Sequence, residues 1–222
     1  MPQITLRPYD YKVYVTGPFQ AGKTTLIHTL DPNAISIERE MREKYRGEKG
    51  TTTTGFDLGR VMWVRKEPSH DGLIVPKAEY EREREEYEGW IAKEIELRGV
   101  PGQLHFKFVR DTMRMNTDGV LMVVDSSDYA MIGDASAILA ETIASFGNIP
   151  MEVIANKQDR NDAASPQEVA SWLGIESATG TCAKDHESAK DALIRLLKKL
   201  EAAQGADEGV STAAEALWAT NR

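Results

Sequence analysis

A glycine-rich segment between a predicted strand and a predicted helix most constrains the fold of this chain. Residues 17–24, GPFQAGKT, match the pattern G-x-x-x-x-G-K-[ST] in full. They follow the β-prone run at 12–16 and precede the helical run TTLIHTL, which is the context that this pattern requires. Successive backbone N–H groups and the helix N-terminus form an anion site in such a unit. The segment therefore predicts a strand, a phosphate-binding loop and a helix.

Two side chains at the end of this loop add a charge and a hydroxyl group. Lys23 directs a cation toward the β- and γ-phosphates, where it also neutralises charge that develops during transfer to water. Thr24 offers a hydroxyl oxygen to Mg²⁺. The residues predicted to contact the nucleotide here are Gly17, Gln20, Ala21, Gly22, Lys23, Thr24 and Thr25.

Strands alternate with helices along most of the chain. The apolar runs Gly119–Asp125 and Met151–Asn156 are typical of strands buried on both faces of a parallel sheet. Helices are predicted over residues 129–146, from a capping box at Ser165 to about residue 173, and over residues 186–203. This order predicts an α/β fold: a doubly wound, mostly parallel six-stranded sheet with helices on both faces.

Composition and charge disfavour several classes of protein. The formal net charge is −8 and the isoelectric point is near 5.2, whereas general nucleic-acid binders need an excess of Lys and Arg to neutralise phosphates. The single cysteine permits no intramolecular disulfide, which is typical of a reducing compartment. Residues 1–9 lack an apolar signal region, and no apolar run reaches the roughly 18 residues that crossing a membrane requires. We therefore expect a cytoplasmic protein without nucleic-acid or integral membrane contact.

A second polar segment follows an apolar strand near the C-terminal third of the chain. Residues 156–159, NKQD, come directly after the predicted strand, at the sheet edge where ligands of open parallel sheets bind. The Asp159 carboxylate can accept hydrogen bonds from two donors at once, which guanine presents through N1 and N2 and adenine does not. Together with the phosphate loop, this segment predicts that GTP and GDP bind, with Asn156, Lys157 and Asp159 at the base.

These features together resemble the Ras-like small GTPases over residues 10–203. In that family a loop, usually S-A-K, lies behind the base, and residues 181–184, TCAK, match it. The resemblance implies that the N–H of Ala183 meets the guanine O6, with Cys182 and Lys184 on either side. Cys182 is then a loop residue beside the base and not a catalytic nucleophile. The resemblance also implies that Lys157 packs over the base and braces the phosphate loop.

A run of threonines is similar to the switch I segment of this family, closest to the T-x-G-F pattern of Arf-type GTPases. The run is TTTTGFD at residues 51–57. By this match Thr53 is the second hydroxyl ligand of Mg²⁺ and binds only while the γ-phosphate is present, which orders the loop in the GTP state. Thr52 and Thr54 are alternatives for this ligand, and a plain β-prone run is the structural alternative.

The switch II segment departs from the family pattern D-x-x-G-Q. This chain has GVPGQ at residues 99–103, so glycine replaces the acid that holds Mg²⁺ through a water molecule. By the resemblance, the N–H of Gly102 bonds the γ-phosphate and Gln103 orients the attacking water. This version of the segment is similar to that of the MglA-type polarity GTPases. In that group an aspartate on the strand after switch I replaces the lost acid; Asp57 matches it, or else is a solvent-facing strand carboxylate.

A bulky residue in the phosphate loop predicts slow hydrolysis. Phe19 stands where many Ras-like proteins have glycine, and it would crowd the approach of Gln103 and of an arginine finger. We expect an activating partner to supply that arginine, and an effector to bind the GTP state. A roadblock-type partner is implied only by analogy with the MglA group. Arginines of the chain itself are alternatives for the finger, and each is also explained as a solvated charge: Arg39, Arg42, Arg46, Arg110 and Arg114.

The chain is predicted to form one GTPase domain over residues 1–204. A charged insertion at 67–90 separates family strands 2 and 3 beside the switches, and residues 205–222 form a flexible tail or a short helix that docks on a partner. The stretch EYEREREEYE at 79–88 carries a net charge of −4 and predicts a helix with ion pairs Glu79–Arg82, Arg82–Glu86 and Arg84–Glu88. An electrostatic docking patch is the alternative interpretation.

Three functions fit these motifs. The first is a molecular switch that hydrolyses GTP slowly, favoured by the presence of Lys23, Thr24, Thr53 and Gln103. The second is an interaction subunit that binds GTP with little or no hydrolysis. The third is a different phosphate-loop enzyme, such as a nucleotide kinase that uses ATP, which has no need of the guanine-reading segments.

Overall fold

The sheet that carries the phosphate loop has eight strands in the part of the chain that the structure describes. A computed structural model describes residues 7–37, 56–67, 72–101 and 114–220, with side chains to residue 205. In sheet order the strands are β2 (Ile35–Ser36), β3 (Asp57–Arg65), β5 (Ile91–Gly99), β1 (Tyr11–Thr16), β6 (Gly119–Asp125), β7 (Met151–Asn156) and β8 (Thr179–Gly180), and β4 (Gly72–Pro76) pairs with β3.

The strand directions confirm the predicted mixed α/β fold. Strands β5, β1, β6, β7 and β8 pair in parallel, whereas β3 runs antiparallel to β5 and to the short strands β2 and β4. The predicted count of six strands is wrong. Two strands are additional. The two-residue β2 pairs with the start of β3, and β4 arises inside the predicted insertion, because Ile74 and Val75 bury their side chains while the backbone pairs along the edge of β3.

Helices cover both faces of the sheet, as predicted. The described helices are α1 (Lys23–Leu30), α2 (Lys77–Arg82), α3 (Ile132–Phe146), α4 (Pro166–Leu173) and α5 (His186–Thr220). Leu26 of α1 and Leu196 of α5 belong to one apolar cluster, which also contains Val15 of β1. Ile138 of α3 and Val169 of α4 belong to the cluster on the opposite face. Because successive residues of a strand point to opposite faces, β6 and β7 supply both clusters.

The structure confirms the predicted start of one helix and contradicts the predicted end of another. The predicted capping box is confirmed: the Glu168 N–H donates to Ser165 Oγ at 3.3 Å, and the Ser165 N–H donates to the Glu168 carboxylate at 2.8 Å. The predicted end of the last helix near residue 203 is wrong, since α5 continues to Thr220. Glu201 clamps this helix to the sheet through ion pairs with Arg65 of β3 and Lys93 of β5.

The acidic insertion is a broken helix and not a continuous one. α2 ends at Arg82, and a 3₁₀ turn follows over Arg84–Tyr87. Arg82 pairs with its neighbour Glu83 at 2.8 Å and not with the predicted acids. The break lets Tyr80 and Tyr87 stack at 5.3 Å and cover an apolar cluster on β3 and β4. The start of α2 shares a cavity of about 370 Å³ with Ile35, so part of the insertion lies beside the strand that leads into the predicted switch I.

Candidate nucleotide-binding site

The phosphate loop follows β1 directly and requires glycine at two positions. Gly17 has φ +136°, and a Cβ atom there would lie 1.9 Å from the carbonyl oxygen of Val123. Gly22 has φ +105°, and a Cβ atom there would lie 2.2 Å from Asn156 Nδ2. Both values of φ lie in the left-handed range that side chains disfavour. The loop therefore packs against β6 and β7 through backbone contacts that only glycine allows.

The other predicted loop residues differ in exposure. Ala21 is fully buried, whereas Gln20 in the loop and Thr25 near the start of α1 are exposed. Gln20 has φ +59°, so its backbone also lies in the left-handed region, as do those of Gly17 and Gly22. The Phe19 side chain is half-buried.

Lys23 is held inside the loop by two backbone carbonyl groups. Its ammonium donates to the Gly17 carbonyl oxygen at 2.9 Å and to the Pro18 carbonyl oxygen at 2.6 Å. Burial lowers the pKa of Lys23 to about 8, although the nearby negative charge of Asp57 opposes that shift. The cation is therefore enclosed by the segment that is predicted to bind phosphate.

Asp57 joins the loop through Thr24. The Thr24 hydroxyl donates to Asp57 Oδ2 at 2.7 Å, and the Ser36 hydroxyl donates to Asp57 Oδ1 at 2.6 Å. Asp57 is only 4% exposed, so its alternative interpretation as a solvent-facing strand carboxylate is wrong. Both carboxylate oxygens are thus fixed by hydroxyl groups from different elements.

The same carboxylate lies where the switch II acid is missing. Asp57 of β3 stands directly opposite Gly99 of β5 in the antiparallel pairing. A Cβ atom on Gly99 would lie 3.0 Å from Asp57 Oδ2 and 2.7 Å from Ile27 Cδ1. The Asp57 carboxylate therefore occupies the space that the first atoms of an acidic side chain at residue 99 would enter.

This donor set suits a hard divalent cation shared with a nucleotide. Within the described ranges, no three His, Cys, Asp or Glu side chains form a group that could hold a metal by themselves. A buried carboxylate and a hydroxyl beside a phosphate loop match the way proteins bind Mg²⁺, through one or two carboxylates together with substrate phosphates. Thr53, the other predicted metal ligand, lies outside the described residues.

Asn156 ties the two nucleotide-binding segments together. Its Nδ2 donates to the Ala21 carbonyl oxygen at 2.7 Å, and its Oδ1 accepts from the Ala183 N–H at 2.8 Å. Asn156 is buried, so neither bond is replaceable by water at low cost. Since the Ala183 N–H already has this protein partner, its predicted contact with the guanine O6 stays a prediction.

Lys157 pairs with an acid that the sequence reasoning missed. Its ammonium forms an ion pair with Asp125, the last residue of β6, which lies opposite Asn156 in the β6–β7 pairing. Burial raises the pKa of Asp125, but its bonds to Lys157 and Ser127 outweigh that and lower it. The available signal was an acidic residue, Asp125, at the end of an apolar strand that neighbours the strand before NKQD. Asn156 bonds the phosphate loop, and the expected bracing of that loop by Lys157 stays a prediction.

The predicted base-reading carboxylate is accessible. Asp159 Oδ2 lies 3.8 Å from Lys184 Nζ, and the two side chains are exposed by 42% and 78%. Cys182 is half-buried in the same loop, where its N–H donates to Ser188 Oγ at 2.9 Å. Asp159, Cys182, Ala183 and Lys184 therefore lie on adjoining loops at one edge of the sheet, after β7 and β8.

Several predicted residues fall beyond what the structure describes. These are Gly102, Gln103 and the arginine candidates at 39, 42, 46 and 110. Arg114 is described. Its guanidinium bonds Glu141 and Ser145, so its side chain is held against α3.

Comparison with known proteins identifies the family. A sequence model of the ADP-ribosylation factor family matches residues 89–203, slightly more than half of the chain. The chain belongs to the ADP-ribosylation factor family. It is therefore a small GTP-binding protein, of a family whose members generally work with regulators and effectors. The matched range begins after the phosphate loop, so residues 17–24 support nucleotide binding independently.

A relative of matching length comes from an archaeon. An uncharacterized protein of Methanocaldococcus jannaschii is 25% identical over 191 residues, which cover 86% of this chain and 95% of that protein. The likeness therefore extends over most of both chains and reaches into the residues before 89 that the family match leaves out. Among the helices that the structure describes, none is both long and apolar enough to span a membrane.

Proposed function

We propose that this small GTP-binding protein is a slow, Mg²⁺-dependent GTPase that acts as a nucleotide-controlled switch. The observation that carries the proposal is the Thr24–Asp57 hydrogen bond at 2.7 Å, formed directly opposite Gly99. A family member without the switch II acid lacks one cation-binding group. Asp57 supplies a buried carboxylate in that place, which favours a working metal site over a degenerate one.

Each residue then has a role toward GTP. Lys23 and the loop N–H groups bind the phosphates and balance the negative charge that grows on them during hydrolysis. Thr24, Thr53 and Asp57 hold Mg²⁺, which when bound neutralises charge on the β- and γ-phosphate oxygens. Gly102 bonds the γ-phosphate through its N–H, and Gln103 orients the attacking water.

The base is read by the two loops that Asn156 connects. Asp159 accepts from N1 and N2 of guanine, and Lys184 Nζ lies 3.8 Å from its carboxylate. Because Asn156 bonds both the phosphate loop and the Ala183 segment, base binding and phosphate binding support one another. Adenine presents an acceptor at N1 and no donor at C2, so Asp159 disfavours ATP.

Slow turnover implies partners. Phe19 lies in the loop that we propose to bind the phosphates, where it would crowd the γ-phosphate, and we expect an activating protein to supply the arginine finger. An effector would bind the GTP state, and a roadblock-type protein is one candidate by analogy with MglA-type GTPases. We expect both encounters in the cytoplasm.

Single-turnover assays of the full chain with Mg²⁺ test this function. We expect tight GDP binding, no ADP binding, and slow GTP hydrolysis that Gln103→Ala abolishes. Gln167→Ala, which removes an exposed glutamine on α4, is the matched control and should leave turnover unchanged. Tight GTP binding without turnover, the same in Gln103→Ala, would show an interaction subunit. A preference for ATP would refute the guanine assignment.

A further inference from the structure

A chain of hydrogen bonds extends from the proposed cation site to the edge of the sheet. Thr24 donates to Asp57 Oδ2 at 2.7 Å, and Ser36 donates to Asp57 Oδ1 at 2.6 Å. His28 Nε2 lies 2.7 Å from Ser36 Oγ. The four side chains come from α1, β2 and β3, so the carboxylate is oriented by two elements besides its own strand.

The Asp57 carboxylate fixes which groups donate and which accept in this series of hydrogen bonds. A serine hydroxyl has one proton, and Ser36 gives it to Asp57, which can only accept when ionised. Ser36 Oγ must therefore accept from His28, which requires a proton on Nε2 of the imidazole. His28 thus holds the serine hydroxyl in the orientation that serves Asp57.

The short strand that carries Ser36 is held by backbone pairing with β3, and the N–H of Ile37, just after it, donates to the Phe56 carbonyl oxygen at 3.0 Å. β2 has only two residues, and Ser36 stands directly opposite Asp57 in its pairing with β3. Side chains at opposite positions of an antiparallel pair share one face and lie close together. The other residue of β2, Ile35, is 60% exposed, so apolar burial contributes little to the position of the strand. The Ser36–Asp57 bond therefore adds a side-chain link between β2 and the site to this backbone pairing.

We infer that Ser36, supported by His28, is a positioning residue for the cation-binding carboxylate of Asp57. This inference rests on the proposed function, since it concerns the same site. Asp57 is buried, so water cannot readily take over the bond that Ser36 makes. Without the hydroxyl, the carboxylate loses the partner that keeps Oδ2 toward Thr24. Ser36 therefore raises the Mg²⁺ affinity of the nucleotide complex without touching nucleotide or metal.

The test compares side chains of equal shape at residue 36. Ser36→Thr keeps a hydroxyl, whereas Ser36→Val replaces it with a methyl group on the same branched frame, and both suit a strand. The readout is the Mg²⁺ concentration that half-maximally retains fluorescent GDP on the full chain, together with Mn²⁺ binding to the GDP complex by electron paramagnetic resonance. We expect Ser36→Val to weaken both by about tenfold, and Ser36→Thr to stay near the wild type.

The supporting residue has its own matched pair. His28→Gln offers an amide N–H in place of Nε2–H, and His28→Ala offers none, so only His28→Ala should shift the Mg²⁺ dependence. Unfolding by urea without Mg²⁺ separates a general loss of stability from a loss of cation affinity. Equal Mg²⁺ dependence in Ser36→Val and Ser36→Thr overturns the inference while leaving the proposed function standing. A wild-type protein that fails to bind GDP overturns the proposed function and this inference together.

Discussion

Replacement of Asp57 by asparagine removes the charge proposed to substitute for the missing switch II acid while keeping the side chain's shape. The amide oxygen can still accept from Ser36, and the amide nitrogen faces Thr24, whose oxygen can accept in turn. We therefore expect the free energy of unfolding without Mg²⁺ to change by about 1 kcal/mol or less. Mg²⁺ affinity should fall by about 10- to 100-fold, the usual effect of removing an outer partner of a metal site.

The assay is the Mg²⁺ dependence of GDP retention, with Asp31→Asn as the matched control. Asp31 is equally buried, but it accepts from the backbone N–H groups of Asn33 at 2.9 Å and Arg60 at 2.8 Å. Asp31→Asn should therefore lower stability and leave the Mg²⁺ dependence unchanged. If both variants show the same Mg²⁺ dependence as the wild type, Asp57 does not replace the switch II acid. A second readout is Lys23, whose pKa should fall further in Asp57→Asn, because the Asp57 charge now raises it.

Three further outcomes follow from the same site. Burial lowers the pKa of Lys23 to about 8, and a bound phosphate favours the cation, so GDP binding at pH 8 should take up about half a proton. Calorimetry in buffers of different ionisation enthalpy measures that uptake. The part due to Lys23 should vanish near pH 6, where the lysine is already charged. No uptake at pH 8 would contradict the placement of Lys23 beside the bound phosphate. Asp159→Asn presents an amide donor in place of one acceptor, so competition binding should show weaker guanine affinity and improved affinity for xanthine nucleotides, whose C2 carries an oxygen. Asn156→Ala leaves the Ala21 carbonyl and the Ala183 N–H unpaired, so urea unfolding should show a loss of about 2–4 kcal/mol; a loss below about 1 kcal/mol would mean that the link is not needed.

Features that depend on neighbouring residues in sequence were predictable. The strands Gly119–Asp125 and Met151–Asn156 have the bounds expected from their apolar runs, because burial on both faces selects apolar side chains throughout. The cap at Ser165 formed as expected, since the capping box closes within four residues.

Features that depend on distant contacts were not predictable in the same way. The charged stretch 79–88 reads as one helix by its charge spacing, yet packing of Tyr80 and Tyr87 against β3 and β4 breaks it after Arg82. The role of Asp125 was not predicted because its partner Lys157 is 32 residues away, directly after the neighbouring strand β7. A local pattern shows an acid at the end of a strand, but it does not show which distant residue pairs with that acid.

The sequence by itself showed a phosphate-loop motif, a segment predicted to read guanine and a glycine where the family pattern has the switch II acid, because each is a contiguous motif whose chemistry lies in its residue types. Only the tertiary structure showed which carboxylate lies opposite that glycine. Asp57 and Gly99 are 42 positions apart, and the antiparallel register of β3 and β5 sets them opposite one another. A shift of one residue would turn Asp57 to the other face of the sheet, away from Thr24. Long-range pairing therefore decided whether the site has its carboxylate.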